Sequence, residues 1–385
     1  MRVLHVYKSY YPDNFGGIEQ VIFQLARGLT ALGAESRIVT LSPRASPAVL
    51  HRPEGEVIRF KTTAQIASNP VSFSALRGYR EQAEWADVVH YQFPWPFADV
   101  LHLLRSDDTP SVVTYQSDIV RQKNWLRAYR PLMRRFLGSM DAVVATSPNY
   151  LATSPVLREL RRKVEVIPNG IDETALPALD PRIVAQWRER VGQGFFLFVG
   201  VLRYYKGIHI LLQAARQVGK TVVIAGAGPE MVALQSLAGK LGLTHVHFAG
   251  EVSERDKVAL YSLADVFVFP SNLRSEAFGM SLAEAAMFGR PMISCEIGTG
   301  TSFINVDGVT GWTVPSDDPQ ALAAAMQRFG HDPASITRMG AAARERFQAL
   351  FTGNRMAKAY MEIYQRLAGR TASPADTVRQ NAAPA

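Results

Sequence analysis

The sequence predicts an α/β protein of two domains in series, each a parallel sheet covered by helices on both faces. Three observations predict it. Short apolar, β-branched runs alternate with helical patterns along the whole chain. The length of 385 residues is a soft prior for two domains at roughly 100–200 residues each. The alternation breaks once, at Pro168-Asn169-Gly170-Ile171-Asp172 and a following loop with Pro177 and Pro181, and then restarts. Repeated strand–helix–strand units imply parallel strands, because a parallel neighbour is reached only through a crossover that a helix supplies.

In the first half, strands are predicted at residues 3–7, 37–41, 57–60, 88–91, 111–115, 142–145 and 164–167. Residues 18–32 form a helix. Its Val21, Ile22, Leu25, Leu29 and Leu32 share one face, and Gly33 ends it as a C-cap. After the break, strands follow at 195–199, 222–225, 246–248, 266–269, 291–294 and 311–314, with helices at 206–218, 230–241, 254–263, 280–288 and 319–329. The last helices run about 333–350 and 354–367, and the tail over 371–385, rich in Ala, Pro and polar residues, reads as disordered.

Composition excludes several classes. Apolar content of 47% and charged content of 20% are ordinary for a globular protein in water. No stretch approaches the roughly 18 consecutive apolar residues of a membrane span. The start turns polar too soon for a signal peptide. Cys295 is the single cysteine, so no internal disulfide framework forms. A cytoplasmic location is the expectation. Net charge is +8, and the first 170 residues carry 21 Lys/Arg against 15 Asp/Glu, an excess of 6. Such a surface suits anionic partners. No zinc spacing, basic zipper or RRM signature is present, so phosphate or an anionic membrane is expected rather than nucleic acid.

In open parallel sheets, ligands bind beyond the carboxyl ends of the strands, and with two such domains the cleft between them is the expected site. The strand at 266–269 ends in Pro270-Ser271, and a polar loop leads into a helix starting near Phe278-Gly279. Unpaired N–H groups at a helix start attract anions, and glycine lets a phosphate come close. Glu276 precedes this helix and Glu284 lies eight residues on, about 12 Å along a helical axis. That is too far for a hydrogen-bonded dyad, but it suits two grips on one extended, hydroxylated ligand. The plainer reading is a helix-start acid and a solvated helix residue. Lys206 follows a strand and a bend, placed either to neutralise phosphate or to snorkel at a helix start.

Four further segments follow strands. Gly16-Gly17 permits positive φ and close approach to a ligand, or is a plain turn. Gln116, in Val112-Val113-Thr114-Tyr115-Gln116-Ser117-Asp118, can donate a hydrogen bond but cannot titrate; Asp118 is the nearest titratable candidate. His90-Tyr91-Gln92-Phe93-Pro94-Trp95-Pro96 offers either exposed aromatics for a sugar surface or domain-edge packing. Ser294-Cys295-Glu296-Ile297-Gly298-Thr299-Gly300-Thr301 could line a pocket, with Cys295 a small buried residue. Residues 121–140 place Arg121, Lys123, Arg127, Arg130, Arg134 and Arg135 among apolar residues, with Pro131 expected to interrupt or kink the helix. This basic amphipathic helix either rests on anionic lipid or turns a solvated basic face outward. There is no Asp-x-Asp, and no cluster has metal-ligand spacing.

The stretch Ser275-Glu276-Ala277-Phe278-Gly279-Met280-Ser281-Leu282-Ala283-Glu284-Ala285, followed by Gly289-Arg290-Pro291, resembles the E-x7-E segment of retaining family 4 glycosyltransferases of the GT-B fold. Gly16-Gly17-Ile18-Glu19, Val166-Ile167-Pro168-Asn169-Gly170-Ile171-Asp172, Val199-Gly200 with Lys206-Gly207, and Gly226-Ala227-Gly228-Pro229 resemble the family's other motifs, in its order. The resemblance implies two Rossmann-like domains: residues 1–169, joined by the helix at 354–367, for the acceptor, and 170–353 for the nucleotide sugar. It implies that Glu276 contacts sugar hydroxyls, Glu284 the ribose, and the backbone of Ala277, Phe278, Gly279 and Met280 the distal phosphate. Gly16, Gly17 and Gly200 would approach the donor, and the backbone near Val252 and Ser253 its base. Lys206 would neutralise the leaving diphosphate. The family places an arginine after that glycine, where Val201 stands here; Arg203 is the candidate replacement. A histidine often stands at the position of Gln116, which leaves Asp118 as a catalytic candidate and Gln116, His90 and Trp95 on the acceptor side.

The expected activity is metal-independent, retaining transfer of a hexose, with no cofactor. The acceptor hydroxyl would attack on the leaving-group face and the departing phosphate would take its proton. GDP-mannose or GDP-rhamnose is the expected donor, and a lipid-linked surface polysaccharide such as O-antigen or lipopolysaccharide the acceptor, at the inner face of the plasma membrane. Two rivals remain. One is an inactive carbohydrate- or lipid-binding protein of the same fold, against which Glu276, Glu284 and Lys206 argue. The other is an NAD(P)-dependent oxidoreductase, whose G-x-G-x-x-G pattern the turn at Gly226 fails.

Overall fold

The computed structural model describes residues 1–66, 69–119 and 123–371. The expected tail beyond 371, and Arg121 of the basic helix, lie outside the described residues. Contacts divide the chain into two units. The first holds Met1–Thr146, Ser154–Gly170 and the chain from Gly353 onward; the second holds Ser147–Thr153 and Ile171–Thr352.

The first unit contains β1 (Arg2–Val6), α1 (Gly17–Ala31), β2 (Glu35–Ser42), β3 (Val49–Arg52), β4 (Gly55–Lys61), β5 (Ala64–Ile66), β6 (Asn69–Val71), α2 (Phe73–Trp85), β7 (Val88–Phe93), α3 (Pro96–Leu103), β8 (Ser111–Tyr115), α4 (Lys123–Ser139) and β9 (Ala142–Ala145). α5 (Pro148–Thr153) goes with the second unit, while α6 (Pro155–Glu159) and β10 (Val164–Val166) return to the first. The main sheet runs β10-β9-β8-β7-β1-β2-β4-β3. Every pairing in it is parallel except β3 with β4. β5 and β6 form a separate antiparallel pair.

The second unit contains α7 (Pro181–Val191), β11 (Phe195–Val199), α8 (Ile208–Ala215), β12 (Val222–Ala225), α9 (Met231–Lys240), β13 (Val246–Gly250), α10 (Glu254–Leu263), β14 (Ala264–Phe269), α11 (Met280–Met287), β15 (Met292–Glu296), α12 (Thr301–Ile304), β16 (Gly311–Pro315), α13 (Pro319–His331) and α14 (Pro333–Leu350). Its sheet, β13-β12-β11-β14-β15-β16, is parallel throughout. A central parallel strand covered on both faces must be apolar on both, and all five residues of β11, Phe-Phe-Leu-Phe-Val, are buried.

α15 (Gly353–Thr371) belongs to the first unit. It lies so close to α1 that a Cβ on Gly28 would sit 2.6 Å from the Ala357 Cβ. Its Tyr360 and Tyr364 are buried and bond to Thr114 and His90 of the sheet.

Four sequence expectations change. The loop with Pro177 and Pro181 is in part a helix: Pro181 opens α7, where a missing N–H costs nothing, and the Asp180 side chain caps it. The helix expected at 206–218 begins only at Ile208, because Gly207 sits in the left-handed region at φ +65° and splits off a 3-10 turn at Tyr204–Lys206. α4 is not interrupted, since it runs through Pro131. The first sheet is not purely parallel, because β3 turns back along its edge.

The core of the first unit buries a charge-capable group without a partner. His5, on β1, is fully buried beside His90, with ring centroids 5.6 Å apart, and neither of its ring nitrogens has a hydrogen bond. Burial pushes its pKa down from 6.5 to about 3. In the unfolded chain the same imidazole takes a proton below its ordinary value. Stability is therefore lost as pH falls through the window between the two values, by up to about 1.4 kcal/mol per pH unit. His5→Leu is expected to flatten the acid side of the stability profile, read by urea unfolding between about pH 6.5 and about pH 4. An unchanged slope would show that His5 does not set it.

Candidate functional site

In the second unit the strand order reverses between β11 and β14. At such a switch point neighbouring connections leave to opposite faces, and a crevice opens at the carboxyl ends of the strands. The loops there are drawn together by close backbone contact. A Cβ on Gly226, after β12, would lie 1.9 Å from the Gly200 carbonyl oxygen after β11. A Cβ on Gly207 would lie 1.9 Å from the carbonyl oxygen of Pro270, after β14. Asn272 also donates its backbone N–H to the Tyr205 carbonyl at 3.0 Å.

That docking brings the sequence-predicted charges together. Lys206 Nζ donates to Glu276 Oε2 at 2.5 Å, and Ser271 Oγ donates to the same oxygen at 3.3 Å. The ammonium also lies 4.8 Å from the centroid of the Phe269 ring, a favourable cation–π distance. Both side chains are largely buried, at 12% and 11% exposure. Arg203 precedes this turn and is exposed.

α11 starts at Gly279, whose φ of +92° places it in the left-handed region, and no side chain caps the helix. Its first backbone N–H groups have no intrahelical partner. Ala277 and Phe278 just before it are buried, and Gly300 N donates to the Ala277 carbonyl at 2.7 Å. The Gly- and Thr-rich loop after β15 thus braces the approach to the helix. Arg274, which the sequence did not single out, holds that loop by donating to the Gly298 carbonyl at 2.8 Å and to Thr153 Oγ1 at 3.0 Å. Cys295 is buried, which pushes its thiol up to about 12, as a packing residue behaves.

Glu284, one face further along α11, is buried rather than solvated. Its Oε1 accepts from Lys257 Nζ at 2.9 Å and its Oε2 from the Tyr261 hydroxyl at 3.2 Å. Burial alone would lower the pKa of Lys257, but the Glu284 and Glu254 carboxylates raise it above the ordinary value. Neither Lys257 nor Tyr261 was legible as a site residue. A lysine on an amphipathic helix ordinarily reads as solvent-facing, and the only signal was their i,i+4 spacing. Ser253 caps α10 in a reciprocal box with Asp256, which commits its hydroxyl and its amide; Val252 packs half-buried against the core. A groove of about 570 Å³ lies at the other end of α11, lined by Leu176, Pro177, Met287 and Phe288 among others. It holds none of the predicted site residues.

In the first unit the predicted residues are used differently from expectation. Gly16 is extended, at φ −121°, so it supplies no positive φ. Its need is space: a Cβ there would lie 2.4 Å from Glu19 Oε2. Glu19 is buried and accepts from Ser9 Oγ at 2.6 Å and from Asn14. Gly17 faces open space. The stretch His90 to Trp95 is not exposed. His90, Tyr91, Phe93 and Trp95 are all buried, because β7 is a central strand and Trp95 donates to the Pro70 carbonyl at 3.1 Å. Burial, and secondarily His5, hold the His90 pKa well below its ordinary value. Gln116 donates from Nε2 to Gln92 Oε1 at 2.8 Å. Asp118 Oδ1 accepts from Tyr115 at 3.0 Å and Ser154 at 2.7 Å. On α4, Met133, Phe136 and Leu137 face inward while Arg127, Arg130, Arg134 and Arg135 are exposed. Among the described residues no helix is long and apolar enough to cross a membrane, and no group of three His, Cys, Asp or Glu is placed to hold a metal ion.

The chain is similar to known proteins over most of its length. The model for glycosyl transferases group 1 matches residues 180–346, and that for glycosyltransferase family 4 matches residues 15–175. The D-rhamnosyltransferase WbpZ of Pseudomonas aeruginosa is 51% identical over 352 residues, covering 91% of this chain and 92% of that protein. The O-antigen chain mannosyltransferase C of Escherichia coli is 47% identical over 367 residues, covering 95% and 99%. Among solved structures, a sucrose-phosphate synthase from Thermosynechococcus elongatus matches with a TM-score of 0.79 at 23% identity, covering 96% of this chain and all of that one. That likeness is one of fold.

The glycine contacts give a direct test. Gly207→Ala combines a left-handed backbone with a Cβ driven into the Pro270 carbonyl. It is expected to cost at least about 2 kcal/mol by denaturant unfolding. Gly239→Ala, in α9 with nothing within 4 Å of the added Cβ, is the control, expected to gain about 0.5–1 kcal/mol. Equal effects would mean that the docked loop carries no strain.

Proposed function

The chain belongs to the group 1 and family 4 glycosyltransferases, and from that membership we propose that it is a retaining, metal-independent hexosyltransferase acting on a nucleoside-diphosphate sugar. The observation that carries the reading is the buried Lys206–Glu276 pair beside the uncapped start of α11. A carboxylate that can accept from sugar hydroxyls and a cation that can meet a phosphate stand within one bond of each other. The N–H groups near Gly279 supply the second half of a diphosphate site.

In this reading Glu276 orients the donor sugar and Glu284 grips the ribose. Lys206, aided by Arg203 and the backbone at Gly200, takes up the charge that builds on the leaving diphosphate. Removing one such donor commonly costs about 10²–10³ in rate. The acceptor hydroxyl attacks on the leaving-group face, and the departing phosphate oxygen takes its proton, so no enzyme nucleophile is required. In the first unit Gln116 and Asp118 serve the acceptor; the buried His90 and Trp95 support them from within. The names of the two close relatives, a D-rhamnosyltransferase and an O-antigen chain mannosyltransferase, favour rhamnose or mannose as the sugar and an O-antigen chain as acceptor; GDP as the nucleotide and a lipid carrier under the chain complete the reading. With its apolar face turned inward, α4 would meet an anionic membrane through its arginines by charge alone.

Two outcomes test the site. Glu276→Ala is expected to lower kcat about tenfold or more, whereas Glu284→Ala is expected mainly to raise the donor KM by a similar factor, since a ribose contact is alike in ground and transition states. Parental kinetics in both variants would refute the assignment. Transfer from GDP-mannose or GDP-rhamnose to a lipid-linked acceptor is expected to survive a chelator such as EDTA, and loss that added divalent metal restores would overturn metal independence.

A further inference from the structure

The Glu284 carboxylate is not presented by α11 alone. Its two oxygens are each held from α10, by residues one helical turn apart: Lys257 on Oε1 at 2.9 Å and Tyr261 on Oε2 at 3.2 Å. Lys257 is itself fixed from the other side by Glu254 at 3.0 Å. Tyr261 is fixed by its ring, which stacks on Phe288 at 4.9 Å and 7°, and its hydroxyl also reaches the Ser281 carbonyl at 3.2 Å. The carboxylate therefore cannot rotate without breaking a bond at one oxygen or the other. An ionised carboxyl has about four lone-pair positions, two on each oxygen.

We propose that Lys257 and Tyr261 are positioning residues for the donor, locking Glu284 in the one orientation in which its two oxygens accept from the two neighbouring hydroxyls of a ribose. This rests on Glu284 being the ribose contact. Two oxygens held in one orientation match a cis-diol at both ends. A carboxylate free to turn would match a single hydroxyl nearly as well. A ligand lacking the 2′-hydroxyl leaves one buried acceptor position unmet, and a site built to bond a hydroxyl rejects the analogue without it more strongly than an apolar site would.

The test measures dissociation constants by calorimetry for GDP, UDP and ADP and their 2′-deoxy counterparts, on the full chain. The readout is the deoxy-to-ribo ratio for whichever base binds most tightly. The parent protein is expected to show a ratio of about ten or more. Glu284→Gln should bring it near one. Tyr261→Phe, which keeps the stacked ring, should cut it to about two or three by weakening the ribonucleotide while leaving the deoxynucleotide unchanged. Lys257→Met should act in the same direction; if it does not fold, Tyr261→Phe decides. A role confined to packing would weaken both ligands equally and keep the ratio. A parental ratio that Glu284→Gln abolishes but Tyr261→Phe leaves intact would overturn the positioning role and keep the ribose contact. A parental ratio near one, or one that survives Glu284→Gln, would overturn the ribose contact itself and the inference with it.

Discussion

A parallel strand cannot be reached by a tight turn, so each of the two main sheets depends on crossovers that return the chain to the same end of the sheet. The consequence is geometric. Every loop that follows one of the parallel strands emerges at the carboxyl edge, and where the order reverses between β11 and β14 the loops part to opposite faces. The second unit gathers residues from the loops after β11 and β14 at that point. Its glycines allow those loops to touch: Gly207 against Pro270, and Gly226 against Gly200. The Lys206–Glu276 contact is a product of that docking rather than its cause.

The charges of the candidate site are largely buried, and hidden charge must be paired. Glu276 is answered by Lys206, and Glu284 by Lys257 and Tyr261. These pairs say little about stability, since an ion pair of this kind roughly balances its desolvation. What they provide is orientation. Both carboxylates are held with known partners on known oxygens, which a flexible, solvated glutamate would not be. Sugar and ribose hydroxyls differ in position far more than in chemistry, so orientation is what a site for them requires.

The first unit follows the same rule with neutral groups. Its central strands bury His5, His90, Gln92 and Thr114 in the sheet, and α15 supplies Tyr360 and Tyr364 to bond Thr114 and His90. His90 and the glutamines share in this network down to Gln116. His5 is the exception, packed against His90 without a hydrogen bond, and with His90 and His102, whose pKa values are also lowered by burial, it contributes to the acid sensitivity expected of this unit.

The sequence by itself determined the class of the fold, because alternation of apolar strands and amphipathic helices is a local property. It also singled out Glu276, Glu284, Lys206 and Gly279 as candidates, because a helix start after a strand in an open parallel sheet is a place where ligands bind, and the motif around them resembles that of a known family. It could not determine which groups those carboxylates face. Lys257 and Tyr261 lie 27 and 23 residues from Glu284 along the chain, and their spacing on α10 is that of any helix face. Nor could it tell that the aromatics from His90 to Trp95 turn inward, since a central and an edge strand of such composition look alike until the strand order is known. Those questions were decided by the tertiary structure, because burial and pairing depend on which elements become neighbours.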